Sequence, residues 1–171
     1  MIPFINLTVD SKILREEINS AIQKVLDSCW FILGKEPESF EHNFSKYIGT
    51  RFCVGVASGT EATALALMAL NISTGDEVIS TNLTAFPTIT GILQSGAKPV
   101  VVDICSSSGL INYQKIQAKI KEKTKAIVSV HLYGQSCILT EIASIAKNTN
   151  YMLLRIVHNF FQNLPFLLNP Y

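Results

Sequence analysis

Residues 55–70, GVASGTEATALALMAL, decide how this chain is read. A β-branched and aromatic run (Phe52, Val54, Val56) stops at Ser58, Gly59 and Thr60, and a compact apolar helical pattern starts at once. A strand, a tight turn of small residues and a helix N-terminus together make an anion pocket. Free main-chain N–H groups point outward there, the helix dipole favours negative charge, and a glycine lets a phosphate approach the backbone. Ser58 and Thr60 add hydroxyl donors, and a serine or threonine at that point also caps the helix. From these residues alone the turn reads either as a phosphate site or as a plain cap.

Outward from this turn the pattern alternates. Residues 52–57 read as a buried strand and 60–70 as a helix apolar on most sides. Gly75, Asp76 and Glu77 make a turn, and 78–80 a short strand. Pro87 suits the first turn of a helix that runs to Gln94 and is stopped by Gly96. Residues 99–103 predict a third strand, 112–120 a helix, 126–131 a fourth strand, 138–147 a helix and 151–154 a fifth strand. Strand–helix alternation with continuous apolar strands predicts an α/β, three-layer fold: a mainly parallel sheet with helices on both faces. Ligands then sit outside the carboxyl ends of the strands, where Ser58, Gly59, Thr60 and His131 all fall.

Upstream, residues 11–30 form an amphipathic pattern. Leu14, Ile18, Ile22, Val25, Leu26 and Cys29 line one face, with Lys12, Arg15, Glu16 and Lys24 largely opposite. Residues 37–48 predict a second helix, carrying Phe40, Phe44 and Tyr47 and ended by Gly49. Both helices are expected to dock onto the sheet through their apolar faces, the alternative being a partner-binding role. The chain therefore divides into an N-terminal helical segment (1–50), a sheet-bearing region (51–153) and a tail (154–171).

Composition narrows the function classes. Of 171 residues 48% are apolar and only 16% charged, so a large core is expected. The formal net charge is +1 without a basic run, which argues against a nucleic-acid footprint. No apolar stretch reaches membrane-spanning length, and MIPFINLTVD lacks the charged start and apolar core of a signal peptide. Cys29, Cys53, Cys105 and Cys137 are widely spaced with no CxxC pair, so no metal site and no disulfide framework is expected. A cytoplasmic protein with reduced thiols is the reading.

The series FEHNFSKYIGTRFCVGVASGTEATALALMAL, GDEVIS, GAKPVVVD and TKAIVSVHLYGQ resembles the DegT/DnrJ/EryC1/StrS aminotransferases. The resemblance runs from Pro3 to about Leu153. It implies the large domain, here incomplete, of a fold type I enzyme that uses pyridoxal phosphate (PLP) to aminate keto groups on nucleotide-linked sugars. Partners implied are a nucleotide-linked keto-sugar, an amino donor such as glutamate, and a second subunit, since the family forms homodimers. The resemblance assigns Ser58, Gly59 and Thr60 to the PLP phosphate. Thr88 matches a family threonine that follows, three positions on, an aromatic residue stacked on the cofactor ring. Ala85 occupies that aromatic position here, so Phe86, one residue later, is either the stacking residue or packing under the turn. Glu61 reads as a helix-start carboxylate. His131, beside Tyr133, Gly134 and Gln135, either bonds to backbone or faces a ligand. Asp103 reads as a loop cap.

Beyond Leu153 the resemblance stops. The family there carries an acidic run such as Glu-Asp-Cys-Ala-Gln, whose Asp pairs with the pyridine nitrogen, and later the lysine that bears the cofactor. This chain reads Leu154, Arg155, Ile156, Val157, His158, Asn159, and has no lysine after Lys147. Residues 153–159 can be encoded by TTA TTG AGG ATT GTG CAC AAT. Regrouped by one base, the letters read ATT GAG GAT TGT GCA CAA, which is Ile-Glu-Asp-Cys-Ala-Gln. Residues 154–171 are therefore expected to be a frameshifted tail without selected packing, and the chain to be an inactive family member with no catalytic residue of its own. Alternatives are a PLP-dependent sugar dehydratase relative, a non-catalytic partner of an intact paralogue, and a nucleotide-binding module. The last is disfavoured by the lack of GxGxxG and GxxxxGK[ST].

Overall fold

A computed structural model describes residues 12–149 and 151–157, which fall into two units divided between Gly55 and Val56. The first unit is helical. Helix α1 (Arg15–Ser28) ends where Cys29 turns left-handed (φ 52) and returns its N–H to the Leu26 carbonyl. No residue of α1 is buried, so the packing expected of its apolar stripe is not seen on this helix. Helix α2 (Lys35–Ile48) ends at Gly49, whose φ of 77 is the left-handed conformation glycine adopts without strain. Its aromatic residues pack on one another along the helix, Phe40 on Phe44 at 5.4 Å and Phe44 near Tyr47 at 6.3 Å between ring centroids.

The expected first strand is absent. Residues 52–57 pair with no described strand, and Phe52 and Val54 are 73% and 76% exposed. The backbone shows why. The Gly55 N–H is taken by the Glu41 carboxylate at 2.7 Å and the Ala57 N–H by the Glu61 carboxylate at 3.1 Å. Donors that a ladder would use are spent on side chains, and an alternating sequence without a hydrogen-bonded neighbour is not a strand.

The second unit carries helix α3 (Gly59–Ala69), strand β1 (Glu77–Thr81), helix α4 (Phe86–Gln94), strand β2 (Lys98–Val102), strand β3 (Thr124–His131), helix α5 (Leu139–Thr149) and strand β4 (Met152–Val157). The sheet order is β2-β1-β3-β4, with every neighbouring pair parallel. Apolar strand residues alternate between two cores, as the period of two requires. Val78, Ala126, Val128 and Leu154 pack with Leu67 of α3 and Ile92 of α4. Ile79, Ile127 and Val102 pack on the other face with Ile142 and Ala146 of α5 and with Ile116. The sheet is thus covered on both sides.

Helices α3 and α4 approach closely because Gly91 permits it. A Cβ there would stand 2.7 Å from the Thr63 Cβ and 2.8 Å from the Thr60 carbonyl oxygen, both fixed parts of α3.

Two further expectations are corrected. Residues 112–120 form two short 3-10 turns, Tyr113–Lys115 and Gln117–Lys119, in place of one helix. The Asn112 side chain accepts the Gln114 N–H and fixes a tight first turn, and Ile116 between the two turns is fully buried. Residues 154–157, expected to be loose, are the last four of the six residues of β4: Leu154 pairs with Val128, Arg155 with Ser129, Ile156 with Val130 and Val157 with His131. Leu154 is buried, because an apolar run of any origin extends a strand whose neighbour is already in place. The rest of the expected tail, 158–171, lies outside the described residues, as does the start of the resemblance at Pro3. Among the described residues no helix is long and apolar enough to cross a membrane.

Candidate functional site

Chain direction brings the candidate residues to one edge. Helix α3 joins β1 through residues 70–76, so it runs opposite to the strand and its N-terminus lies at the carboxyl edge of the sheet. Helix α4 leaves β1 at that same edge, and so does the Leu132–Gly134 turn after β3. In the order β2-β1-β3-β4 the chain leaves β1 toward β2 and later returns to β1's other side. The point of reversal, between the carboxyl ends of β1 and β3, is where open α/β sheets form a ligand crevice.

The turn at 58–60 is a capped helix start. Ser58 is the N-cap: its hydroxyl accepts the Glu61 N–H at 3.2 Å, and its carbonyl accepts the Ala62 N–H at 3.0 Å. Glu61 reaches back to the Ala57 N–H, so Ser58 and Glu61 form a reciprocal cap of the S-x-x-E kind, one position displaced. That pairing was legible in the spacing and accounts for Glu61. The N–H groups of Gly59 and Thr60, in the first turn, have no acceptor among the described residues. Ser58 and Gly59 are exposed and Thr60 half-buried. A Cβ on Gly59 would meet nothing within 4 Å, so the space above the turn is open.

Phe86 and Thr88 occupy the first turn of α4 in opposite ways. Phe86 is 80% exposed, while Thr88 is buried and shares a hydrogen bond of 2.8 Å with the Thr84 hydroxyl. The Phe86 ring is thus available at the edge, and Thr88 braces the loop that carries it. Ala85, the N-cap, makes no side-chain cap bond. At the end of β2, Asp103 accepts from the Asn82 amide at 3.2 Å and the Lys115 ammonium at 2.8 Å. Lys115 holds its carboxyl below the usual range.

His131 is fully buried at the end of β3, and its Nδ1 accepts the Cys137 N–H at 3.0 Å. It is therefore the backbone-bonded histidine of the two alternatives. Burial, and then the charge of Arg155, holds the imidazole below its ordinary range, so it is neutral. The loop between turns through Tyr133 (φ 52) and Gly134 (φ 78), and the Cys137 thiol donates to the Val130 carbonyl at 3.1 Å. Burial pushes that thiol up to about 11, which leaves it a structural group. Two features escaped the sequence reading: Gly91, whose need arises only where two helices meet, and the His131–Cys137 bond. Among the described residues no group of three or more His, Cys, Asp or Glu is placed to hold a metal ion. The edge can bind an anion against α3 and a flat apolar group beside Phe86.

The family model described as the DegT/DnrJ/EryC1/StrS aminotransferase family matches residues 12–155. The chain is 43% identical over 150 residues to dTDP-3-amino-3,6-dideoxy-alpha-D-galactopyranose transaminase of Aneurinibacillus thermoaerophilus, covering 88% of this chain and 41% of that one. It is 37% identical over 147 residues to UDP-2-acetamido-2-deoxy-3-oxo-D-glucuronate aminotransferase of Pseudomonas aeruginosa, covering 86% and 41%. Among solved structures, DesV of S. venezuelae in complex with a ketimine intermediate superposes with a TM-score of 0.88 at 34% identity, over 90% of this chain and 42% of that one. The E. coli GDP-4-keto-6-deoxy-D-mannose-3-dehydratase with bound hydrated PLP gives 0.73 at 31%, over 80% and 37%. The chain spans about two-fifths of the length of these relatives.

Proposed function

The chain belongs to the DegT/DnrJ/EryC1/StrS aminotransferase family, and on that premise we propose that it is the N-terminal part of a PLP-dependent aminotransferase acting on a nucleotide-linked keto-sugar. One observation carries the reading: two main-chain N–H groups, of Gly59 and Thr60, stand without acceptors at a capped helix start on the ligand edge. Phosphate oxygens match those donors and the positive end of the helix dipole. Ser58 keeps the turn in shape through its cap, Thr60 adds a hydroxyl donor, and Phe86 offers an exposed ring beside the cofactor. Thr88 acts indirectly, holding the Phe86 loop through Thr84. When bound, PLP supplies an electron sink and carries the amino group from donor to acceptor.

The residues fit the phosphate better than the ring. At the β3–β4 end the described residues offer the neutral His131 and the Arg155 guanidinium, with no carboxylate to hold a protonated pyridine nitrogen. With no lysine after Lys147 in these 171 residues, the proposal includes that they do not transaminate by themselves. Titrating the purified chain with PLP and with inorganic phosphate, followed by cofactor fluorescence, tests the cradle. Thr60→Val is expected to weaken PLP by about tenfold to a hundredfold, equivalent to the loss of one hydrogen bond to a charged group. Equal affinity in wild type and Thr60→Val, with no competition by phosphate, sinks the assignment. Incubation with glutamate and a dTDP-linked keto-sugar is expected to give no amino-sugar, and turnover would remove the claim of inactivity. A dehydratase reading of the longer protein draws on the dehydratases among the structural neighbours. Release of water from a keto-deoxy-sugar by the longer protein distinguishes it.

A further inference from the structure

The turn after β3 holds a tyrosine in a conformation that tyrosine disfavours. Leu132 to Gln135 form a tight turn, closed by the Gln135 N–H on the Leu132 carbonyl at 3.0 Å. Its two central residues, Tyr133 (φ 52) and Gly134 (φ 78), are both left-handed, the pattern of a type I′ turn. Glycine, asparagine and aspartate are the usual residues at the first central position, because they tolerate that backbone. A tyrosine there brings its Cβ against the following carbonyl oxygen and is strained.

Packing does not explain the choice. The base of the loop is pinned without the ring: Leu132 and Cys137 are buried, the Cys137 N–H bonds to His131, and its thiol bonds to the Val130 carbonyl. The Tyr133 side chain is 80% exposed and has no hydrogen bond or ring contact among the described residues. Its place in the fold is more informative. Helix α4 leaves β1 for the face where Ile92 packs with Leu67, and α5 lies on the other face, with Ile142 against Ile127. The exits of these two neighbouring strands therefore part. Phe86 and Tyr133, both exposed, stand on the two lips of the crevice between them.

We propose that Tyr133 is a ligand-contact residue, kept in a strained turn for its ring, and that it takes the sugar of the nucleotide-linked substrate. The assignment to the sugar rests on the aminotransferase reading: the carbon that reacts must lie beside the cofactor in this crevice, whereas the base is a diphosphate away. A phenol suits a pyranose. Its apolar face covers the C–H groups of the sugar ring, and its hydroxyl both donates to and accepts from sugar hydroxyls.

The test is nuclear magnetic resonance of the 171-residue chain with ¹³C-labelled tyrosine, the Tyr133 signal being assigned by its loss in Tyr133→Phe. The probes are dTDP-glucose and dTDP. Adding dTDP-glucose is expected to shift the Tyr133 ring signal, and dTDP to leave it in place. Affinity for dTDP-glucose should fall about fivefold in Tyr133→Phe, the loss of one hydrogen bond between neutral groups, and about tenfold or more in Tyr133→Asn, which loses the ring as well. Tyr133→Asn should also melt about 2 °C above wild type, since the turn accepts asparagine without strain. Stability gained as binding is lost marks a residue kept for its ligand. Equal affinity in wild type and Tyr133→Asn overturns the proposal, as does a Tyr133 signal that dTDP moves as far as dTDP-glucose, or that neither moves. Tyr133→Asn melting no higher than wild type also overturns it, and would show that the ring packs against protein, a second copy of the chain included. The PLP titration is decided separately. A cradle that binds PLP while Tyr133 ignores dTDP-glucose leaves the aminotransferase reading standing, and a sugar-dependent shift without PLP binding supports Tyr133 while counting against the cradle.

Discussion

Residues 12–55 and residues 56–157 are built from the same kinds of apolar side chain and treat them in opposite ways. In α1, Ile18, Ile22 and Leu26 are 44%, 53% and 51% exposed, and the segment that follows adds Trp30, Phe31, Ile32 and Leu33 to the exposed set. In the sheet, Ile79, Ile127 and Val128 are fully buried. An amphipathic stripe states which face is apolar, and only a neighbour buries it. A parallel strand brings its neighbours with it, because each crossover helix returns the chain to the sheet and lies on it. The difference teaches that one unit buries its apolar residues in the cores flanking the sheet, whereas in the other the described contacts are local: left-handed C-caps at Cys29 and Gly49 and aromatic pairs along α2.

The sharpest way to break this comparison is a matched pair of truncations. Ile127→Ala, in the core between β3 and α5, is expected to cost about 3 kcal/mol in chemical denaturation, while Ile22→Ala in α1 stays within about 0.5 kcal/mol. Similar costs at the two sites would mean that α1 is buried in solution. Gly91→Ala comes next. Its methyl would press on Thr63 and on the Thr60 carbonyl, for an expected loss of about 2 kcal/mol and weaker PLP binding through the disturbed turn. A melting temperature unchanged from wild type would show that α4 can move off α3 freely. Ser58→Ala removes the cap and should cost about 1 kcal/mol, with the reciprocal Glu61 bond loosened as well.

The smallest effect is one of pH. Burial and Arg155 lower the folded pKa of His131, so on acidification the unfolded chain takes up a proton that the folded ring refuses. Stability is then highest above the unfolded value of about 6.5 and falls as pH drops through it toward the lower folded pKa. In His131→Gln the loss of melting temperature between about pH 7 and about pH 5 should be smaller than in wild type. Parallel profiles for the two proteins would show that His131 is not the group responsible.

Much of the sheet was legible in the sequence. Strands at 78–80, 99–103 and 126–131 were placed to within two residues by continuous apolar runs, and Pro87 and Gly49 marked a helix start and a helix end where the structure has them. The misreadings share a cause. Residues 52–57 have the alternation of a strand, but pairing is decided by groups far away, and Glu41 lies 14 positions before the N–H it captures. Residues 112–120 have helical composition, yet the Asn112 side chain and the burial of Ile116 impose tighter turns. Of the ligand edge, the cap at Ser58 could be read from local spacing. The environment of His131 could not, because its burial and the nearby charge of Arg155 are products of strand register.

The strand order has a consequence for how the sheet is made during synthesis. β1 and β2, joined by α4 alone, are complete once the first 102 residues have emerged, and β3 then needs only the free edge of β1. β4 in turn needs only the free edge of β3. None of the four described strands has to be inserted between two that have already paired, so this part of the sheet can lengthen at one margin in step with the ribosome. Each new strand meets a finished template, and no completed pair has to open to admit a later one.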